Sequence, residues 1–166
     1  MHRNPDKVSD ALALVQTLLD AGKPKEAIEL VRRFGTSSPE MSNVYGVALL
    51  RAGEAAKAVE FYRGICLSTC SACLKADLPT VFKTNYATAL LLVKNVAGCL
   101  AILQELAQEQ NPYVQKLRAA IDRWRRSLGW WKRLAFDLYG AEPDKPVSLD
   151  FPPGELMLTR ELRPAA

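Results

Sequence analysis

Three of the four cysteines fall within eight residues, in Cys66-Leu-Ser-Thr-Cys70-Ser-Ala-Cys73. Thiolates spaced C-x3-C-x2-C can hold an iron–sulfur cluster or a zinc ion, or act together as a thiol sensor. Other chemistry is sparse. The single histidine, His2, sits near the start of the chain, so a Cys–His or Ser–His pair has no partner to draw on. Neither GxxxxGK[ST] nor GxGxxG occurs, which removes the common phosphate cradles. Glu26, Glu29, Glu54 and Glu60 read as solvated helix faces rather than an acid–base pair. No enzyme activity and no cofactor are therefore expected, and no small-molecule substrate.

The cysteines must be weighed with the element that carries them. A helix turns about 100° per residue, so a helix continuing through Cys66, Cys70 and Cys73 would place all three in one narrow arc with Val59 and Tyr62. Along such a helix Cys66 and Cys73 stand about 10 Å apart, too far for one ion that holds its thiolates at about 2.3 Å. Free cysteine also behaves as a small hydrophobe. Packing is the favoured reading, and a metal or thiol site at Cys66, Cys70 and Cys73 is kept as a second alternative. Cys99 is expected in the core.

The chain has 166 residues, 49% of them hydrophobic and 24% charged, with a formal net charge of +4. That suits one globular domain able to bury a core without staples. No apolar run of about 18 residues exists, and MHRNPDKVSD has no apolar signal region. A cytoplasmic location with reduced cysteines is the default expectation.

Internal repetition organises these elements. ALALVQTLLDAGKPKEAIELV (11–31) aligns with NVYGVALLRAGEAAKAVEFY (43–62), and less closely with NYATALLLVKNVAGCLAILQEL (85–106). Gly22 matches Gly53, Ala27 matches Ala58 and Leu18 matches Leu49. In the third copy Lys94 takes the Gly place and Cys99 the Ala place. Glycine after a helix adopts the left-handed conformation without Cβ strain, and a small residue lets two helices approach. Ser38-Pro39-Glu40 reads as an N-cap, a first-turn proline and an acid at the positive helix end, and Asn111-Pro112 repeats that logic.

The pattern resembles the tetratricopeptide repeat family, whose signature is W-x2-L-G-x2-Y, then A-x3-F, then P, over 34 residues. Tyr45-Gly46, Leu49, Gly53, Ala58 and Tyr62 carry the match in the second copy. The first copy supplies Leu14, Leu18, Gly22, Ala27, Val31 and Pro39, and the third Tyr86, Ala87, Leu90, Leu103 and Leu106. The likeness covers about residues 8–110. It implies an all-α fold, a right-handed superhelical stack of helix-turn-helix repeats over residues 1–139. The repeats fall at about 8–38, 39–75 and 80–110, with a capping helix at 112–138, and residues 140–166 form a Pro-rich extended tail. The marker interval from Gly53 to Lys94 exceeds the family period, which places extra residues around Cys66–Pro79, so the second helix of the middle copy is lengthened or followed by a long connector.

The resemblance also implies a concave groove lined by the first helix of each repeat, a protein-binding surface for a partner peptide or amphipathic helix. Its expected lining is Ser9, Leu12, Ala13 and Gln16, then Glu40, Asn43, Val44, Val47 and Arg51, then Val81, Thr84, Asn85 and Thr88. A subfamily binds terminal carboxylates through fixed cations. Here those positions read Ser9, Ala13, Val44, Val81 and Asn85, so such a clamp is not expected.

In 112–138, Val114, Leu117, Ile121, Trp124, Leu128 and Trp131 make one stripe at helical spacing, opposite a basic face of Lys116, Arg123, Arg126 and Arg133. Gly129 is expected to kink or split this helix. Basic residues among tryptophans suit an adaptor for a membrane surface or nucleic acid, which stands as the alternative function, although a solvated face is favoured over either partner. In the tail, Val147, Leu149 and Phe151 alternate with polar residues before Pro152-Pro153-Gly154 forces a turn. That is too apolar for a solvated tail. It is expected to fold back on the helices and to regulate the groove.

Overall fold

The computed structural model describes residues 5–68, 73–107, 111–139 and 145–157. Eight helices follow one another among the described residues: α1 Pro5–Asp20, α2 Pro24–Phe34, α3 Pro39–Arg51, α4 Ala55–Cys66, α5 Thr80–Leu92, α6 Val96–Glu105, α7 Pro112–Arg126 and α8 Trp130–Tyr139. The only extended pairing among these residues is an isolated antiparallel bridge between Leu67 and Leu74. No described helix is long and apolar enough to cross a membrane.

The first three hairpins turn by one device. Gly22, Gly53 and Lys94 have φ of +71°, +77° and +68°. Just beyond each, a backbone N–H reaches back over the helix end: Lys23 to the Leu18 carbonyl at 2.8 Å, Glu54 to Leu49 at 2.9 Å and Asn95 to Leu90 at 2.9 Å. The left-handed residue itself donates to Leu19, Leu50 or Leu91. These bonds satisfy carbonyls that the helix leaves open. Glycine takes this conformation freely, whereas Lys94 carries a Cβ penalty of about 1 kcal/mol.

Side-chain caps fix the helix starts. The Ser38 hydroxyl accepts from the Met41 N–H at 3.2 Å, and the Asn111 carbonyl oxygen accepts from the Tyr113 N–H at 2.7 Å. Pro24, Pro39 and Pro112 sit at the first helical position, where no N–H is needed.

The hairpins stack. Each of α1, α3 and α5 packs on the next odd-numbered helix, and each of α2, α4 and α6 also packs on the helix that follows it. The seam is one continuous apolar cluster from Val15 to Trp124. Ala27, Ala58 and Cys99, the small-residue positions of the three copies, are completely buried. The Tyr62 ring of α4 packs directly on Gly46 of α3, where an added Cβ would overlap it.

One expected helix ends early, and another splits near Gly129 as expected. α4 stops at Cys66 because Leu67 turns extended, and the chain reverses. The Ser68 N–H bonds the Cys73 carbonyl at 3.1 Å and the Lys75 N–H bonds the Cys66 carbonyl at 2.9 Å. The bridge thus sets Cys66 opposite Lys75 and Cys73 opposite Ser68, rather than running Cys66 and Cys73 along one helix. Ser and Thr offer the backbone competing bonds, which favours leaving the helix here. The reversal also accounts for the long interval before Lys94. The second break lies at residues 127–129. The Ser127 hydroxyl donates to the Trp124 carbonyl at 2.7 Å, and Ser127 closes α7. The apolar stripe runs buried through Leu128 only, and Trp131 leaves it for solvent.

Candidate functional site

Residues 145–157 run as an extended strap over the face made by α3, α5 and α7. At its start, the Trp124 indole N–H donates to the Lys145 carbonyl at 2.7 Å, and the Lys145 ammonium donates to the Ser127 hydroxyl at 3.0 Å. Val147 is buried, while Leu149, Phe151, Leu156 and Met157 pack against the core from outside. The Arg123 guanidinium donates to the Asp150 carboxylate at 2.7 Å. That partner, with smaller help from Lys116, holds the Asp150 carboxyl below its ordinary range. Phe151 meets Tyr113 edge-on, with ring centroids 5.3 Å apart.

The strap is gripped hardest at Gly154-Glu155. The Gly154 N–H donates to the Tyr113 hydroxyl oxygen at 2.6 Å. The Glu155 N–H donates to Asn85 Oδ1 at 2.7 Å, while Asn85 Nδ2 donates back to the Glu155 carbonyl at 2.9 Å. Asn43 Nδ2 donates to that same carbonyl at 3.1 Å, and Asn85 Nδ2 also bonds Asn43 Oδ1 at 2.8 Å. One asparagine thus satisfies both backbone groups of a single residue, and a second braces it. Both amides are fully buried. Left unpaired there, each would cost about 1–3 kcal/mol, so the strap stabilises the arrangement that holds it.

Gly154 is required by geometry. Its φ is +86°, and an added Cβ would meet Val47 and Leu50 at 3.1 Å. Burial pushes the Tyr113 hydroxyl pKa up, and bonds with Thr88 and the Gly154 N–H partly oppose this. Burial raises Tyr62 well above its usual range. The Tyr62 hydroxyl approaches the Asn43 carbonyl at 3.4 Å, under the asparagine pair.

Of the residues expected to line a groove, Asn43, Val47 and Asn85 touch the strap. Val44 and Val81 are buried in the helical seam. Thr84 and Thr88 are buried too, and their hydroxyls bond the Val81 and Thr84 carbonyls of their own helix. Ser9, Ala13 and Gln16 are exposed on α1, and Leu12 and Glu40 are half-buried. Arg51 lies 3.9 Å from Asp20. The strap contacts that sequence reading did not select come from Leu50, Tyr113 and Ser127. Pro152-Pro153-Gly154 marked the turn, but nothing local marked its receptor.

The basic face is largely engaged within the chain. Arg123 holds Asp150, Arg126 Nε reaches the Asp122 carbonyl at 3.3 Å, and Arg133 lies 3.9 Å from Asp137. Lys116 stands 6.0 Å over the Phe151 ring. Of the cysteine triplet, Cys66 and Cys73 lie among the described residues. The buried Cys66 thiol points to the Phe82 carbonyl at 3.5 Å, Cys73 is exposed, and Cys70 lies outside the described residues. Burial pushes the Cys66 and Cys99 thiols up to about 12, which keeps them protonated and unreactive at neutral pH. Among the described residues no group of His, Cys, Asp and Glu could hold a metal. Neither a family model, nor a curated protein, nor a solved structure matches the chain.

Proposed function

We propose that the chain is a tetratricopeptide-like interaction scaffold, a right-handed stack of helical hairpins whose α3–α5–α7 face takes an extended segment of a partner protein. Its own strap is the resident occupant and regulates access. One observation carries the reading: Asn85 and Asn43 bind the backbone N–H and carbonyl of Glu155. Contacts of that kind accept many sequences in extended form, with selectivity left to flanking pockets. A tethered occupant competes at an effective concentration of order millimolar, so a partner must bind well to displace it.

The test uses the full chain with Gly154→Ala, which weakens its own strap. A fluorescent peptide of residues 145–157 is titrated into this variant and into the unaltered chain. The reading predicts saturable binding to the variant, much weaker binding to the unaltered chain, and loss of binding when the peptide itself carries Gly154→Ala. A variant that keeps its fold yet ignores the unaltered peptide would refute it.

A further inference from the structure

α8 presents an apolar face away from the rest of the molecule. At about 100° per residue, Trp130, Leu134, Leu138 and Trp131 share an arc of about 100°, and Phe136 lies nearly opposite its middle. Phe136 is the buried anchor, edge-on to Trp124 with centroids 5.3 Å apart. The outward arc is bare: Trp130, Trp131 and Leu138 are 67%, 65% and 63% exposed. Of the seven large hydrophobic residues that stand exposed among those described, five belong to this ten-residue helix, counting Leu134 and Tyr139. Apolar residues gathered on one side of a short helix mark a docking surface, where scattered ones would not.

Charge selects the occupant. Residues 112–139 carry seven Lys and Arg against two Asp, while the whole chain is only +4. A second copy of this face would bring like charges together. Single-stranded nucleic acid would need free aromatic faces, but Trp130 and Trp131 stack on each other with centroids 4.0 Å apart. It would also need cations that are instead tied down: Arg118 to the Leu103 carbonyl, Arg123 to Asp150, Arg125 and Arg133 to Asp137. Lys132 and Lys145 line a cleft of about 340 Å³ beside the tryptophan pair, along with Ser127 and Leu128. Tryptophan and leucine along the exposed arc, with lysines beyond its edge, make the arrangement of an interfacial helix.

We infer that α8 docks on an anionic lipid surface, lying in its plane with Trp130, Trp131, Leu134 and Leu138 inserted and Lys132 and Lys145 at the headgroups. This surface shares only Lys145 with the strap, whose clasp at Gly154-Glu155 the variants below leave untouched, so the two proposals are tested apart. The full chain is mixed with vesicles of phosphatidylcholine and phosphatidylserine, and with phosphatidylcholine alone. Co-sedimentation and a blue shift of tryptophan emission are expected with the anionic vesicles, and about tenfold weaker binding without the anionic lipid. Leu134→Ser with Leu138→Ser should lower binding by at least about tenfold while the melting temperature holds, since both side chains already face water. Three results would overturn the inference. One is no binding to anionic vesicles. Another is equal binding by a folded double variant. The last is shielding of Trp130 and Trp131 from a soluble quencher in the free chain, whether by its own residues or by a second copy.

Discussion

Replacing Asn85 by Ala removes the two-way grip on Glu155. The Glu155 N–H loses its bond to Asn85 Oδ1, and its carbonyl loses the bond from Asn85 Nδ2 while keeping that from Asn43. Losing the donor's bond costs about 1–3 kcal/mol and each further lost bond about 1 kcal/mol, so strap docking should weaken by about 3 kcal/mol. That is about a hundredfold rise in the open population. Chymotrypsin can report it, because the bonds after Leu149 and Leu156 become cleavable when the strap lifts. When opening is fast relative to cleavage, the rate follows the open population. Cleavage within residues 145–157 should therefore quicken about a hundredfold. Asn85 also contacts Asn43 within the core, so part of the loss falls on the helices. Gly154→Ala separates the two effects, because it acts from the strap alone. It adds about 1–2 kcal/mol of left-handed strain to crowding against Val47 and Leu50. Both variants should free the strap, and Gly154→Ala should move the unfolding midpoint less. Cleavage within about threefold of the unaltered chain in both, a difference under 1 kcal/mol, would refute the clasp as described.

Gly46→Ala forces a methyl into the Tyr62 ring, which is fully buried. A loss of about 2–3 kcal/mol is expected, seen as melting about 5–10 °C lower, and an unchanged melting temperature would contradict the close α3–α4 approach. Lys94→Gly should do the reverse, adding about 1 kcal/mol by relieving a left-handed side chain, as chemical denaturation would show. Acid should loosen the strap through Asp150. Its docked pKa lies below the free value, so its contribution is intact above about pH 4 and is lost as pH falls through the docked value. Strap cleavage by an acid-active protease should rise over that range, and Asp150→Asn should flatten the rise.

The hairpin turns were legible because their cause is local. Gly22 and Gly53 mark left-handed helix ends by type, and the register then assigns Lys94 the same conformation despite its side chain. The end of α4 was half legible, since the long interval to Lys94 allowed either a longer helix or a connector. The apolar spacing through Cys66, Cys70 and Cys73 fits a helix, and what ends it is a reversal fixed by Leu67 pairing with Leu74. The break after Ser127 was half legible through Gly129, but the resulting exposure of Trp131 depends on the new direction of α8. In the strap, alternation at Val147, Leu149 and Phe151 marks an apolar extended segment. Its receptor is another matter. Asn43 and Asn85 are 42 positions apart in sequence and meet only because α3 and α5 pack together. Tyr113, placed by the Asn111 cap at the start of α7, joins them from a third helix. No spacing rule encodes a site assembled that way.

Hydrogen exchange at the Gly154 and Glu155 amides, measured by NMR on the intact chain, tests the central claim most directly. Bonded to Tyr113 and Asn85, both should exchange at least about a hundredfold more slowly than in a free peptide of residues 145–157. Exchange at the free-peptide rate, with the α3 and α5 amides still protected, would show that nothing holds the strap on this face.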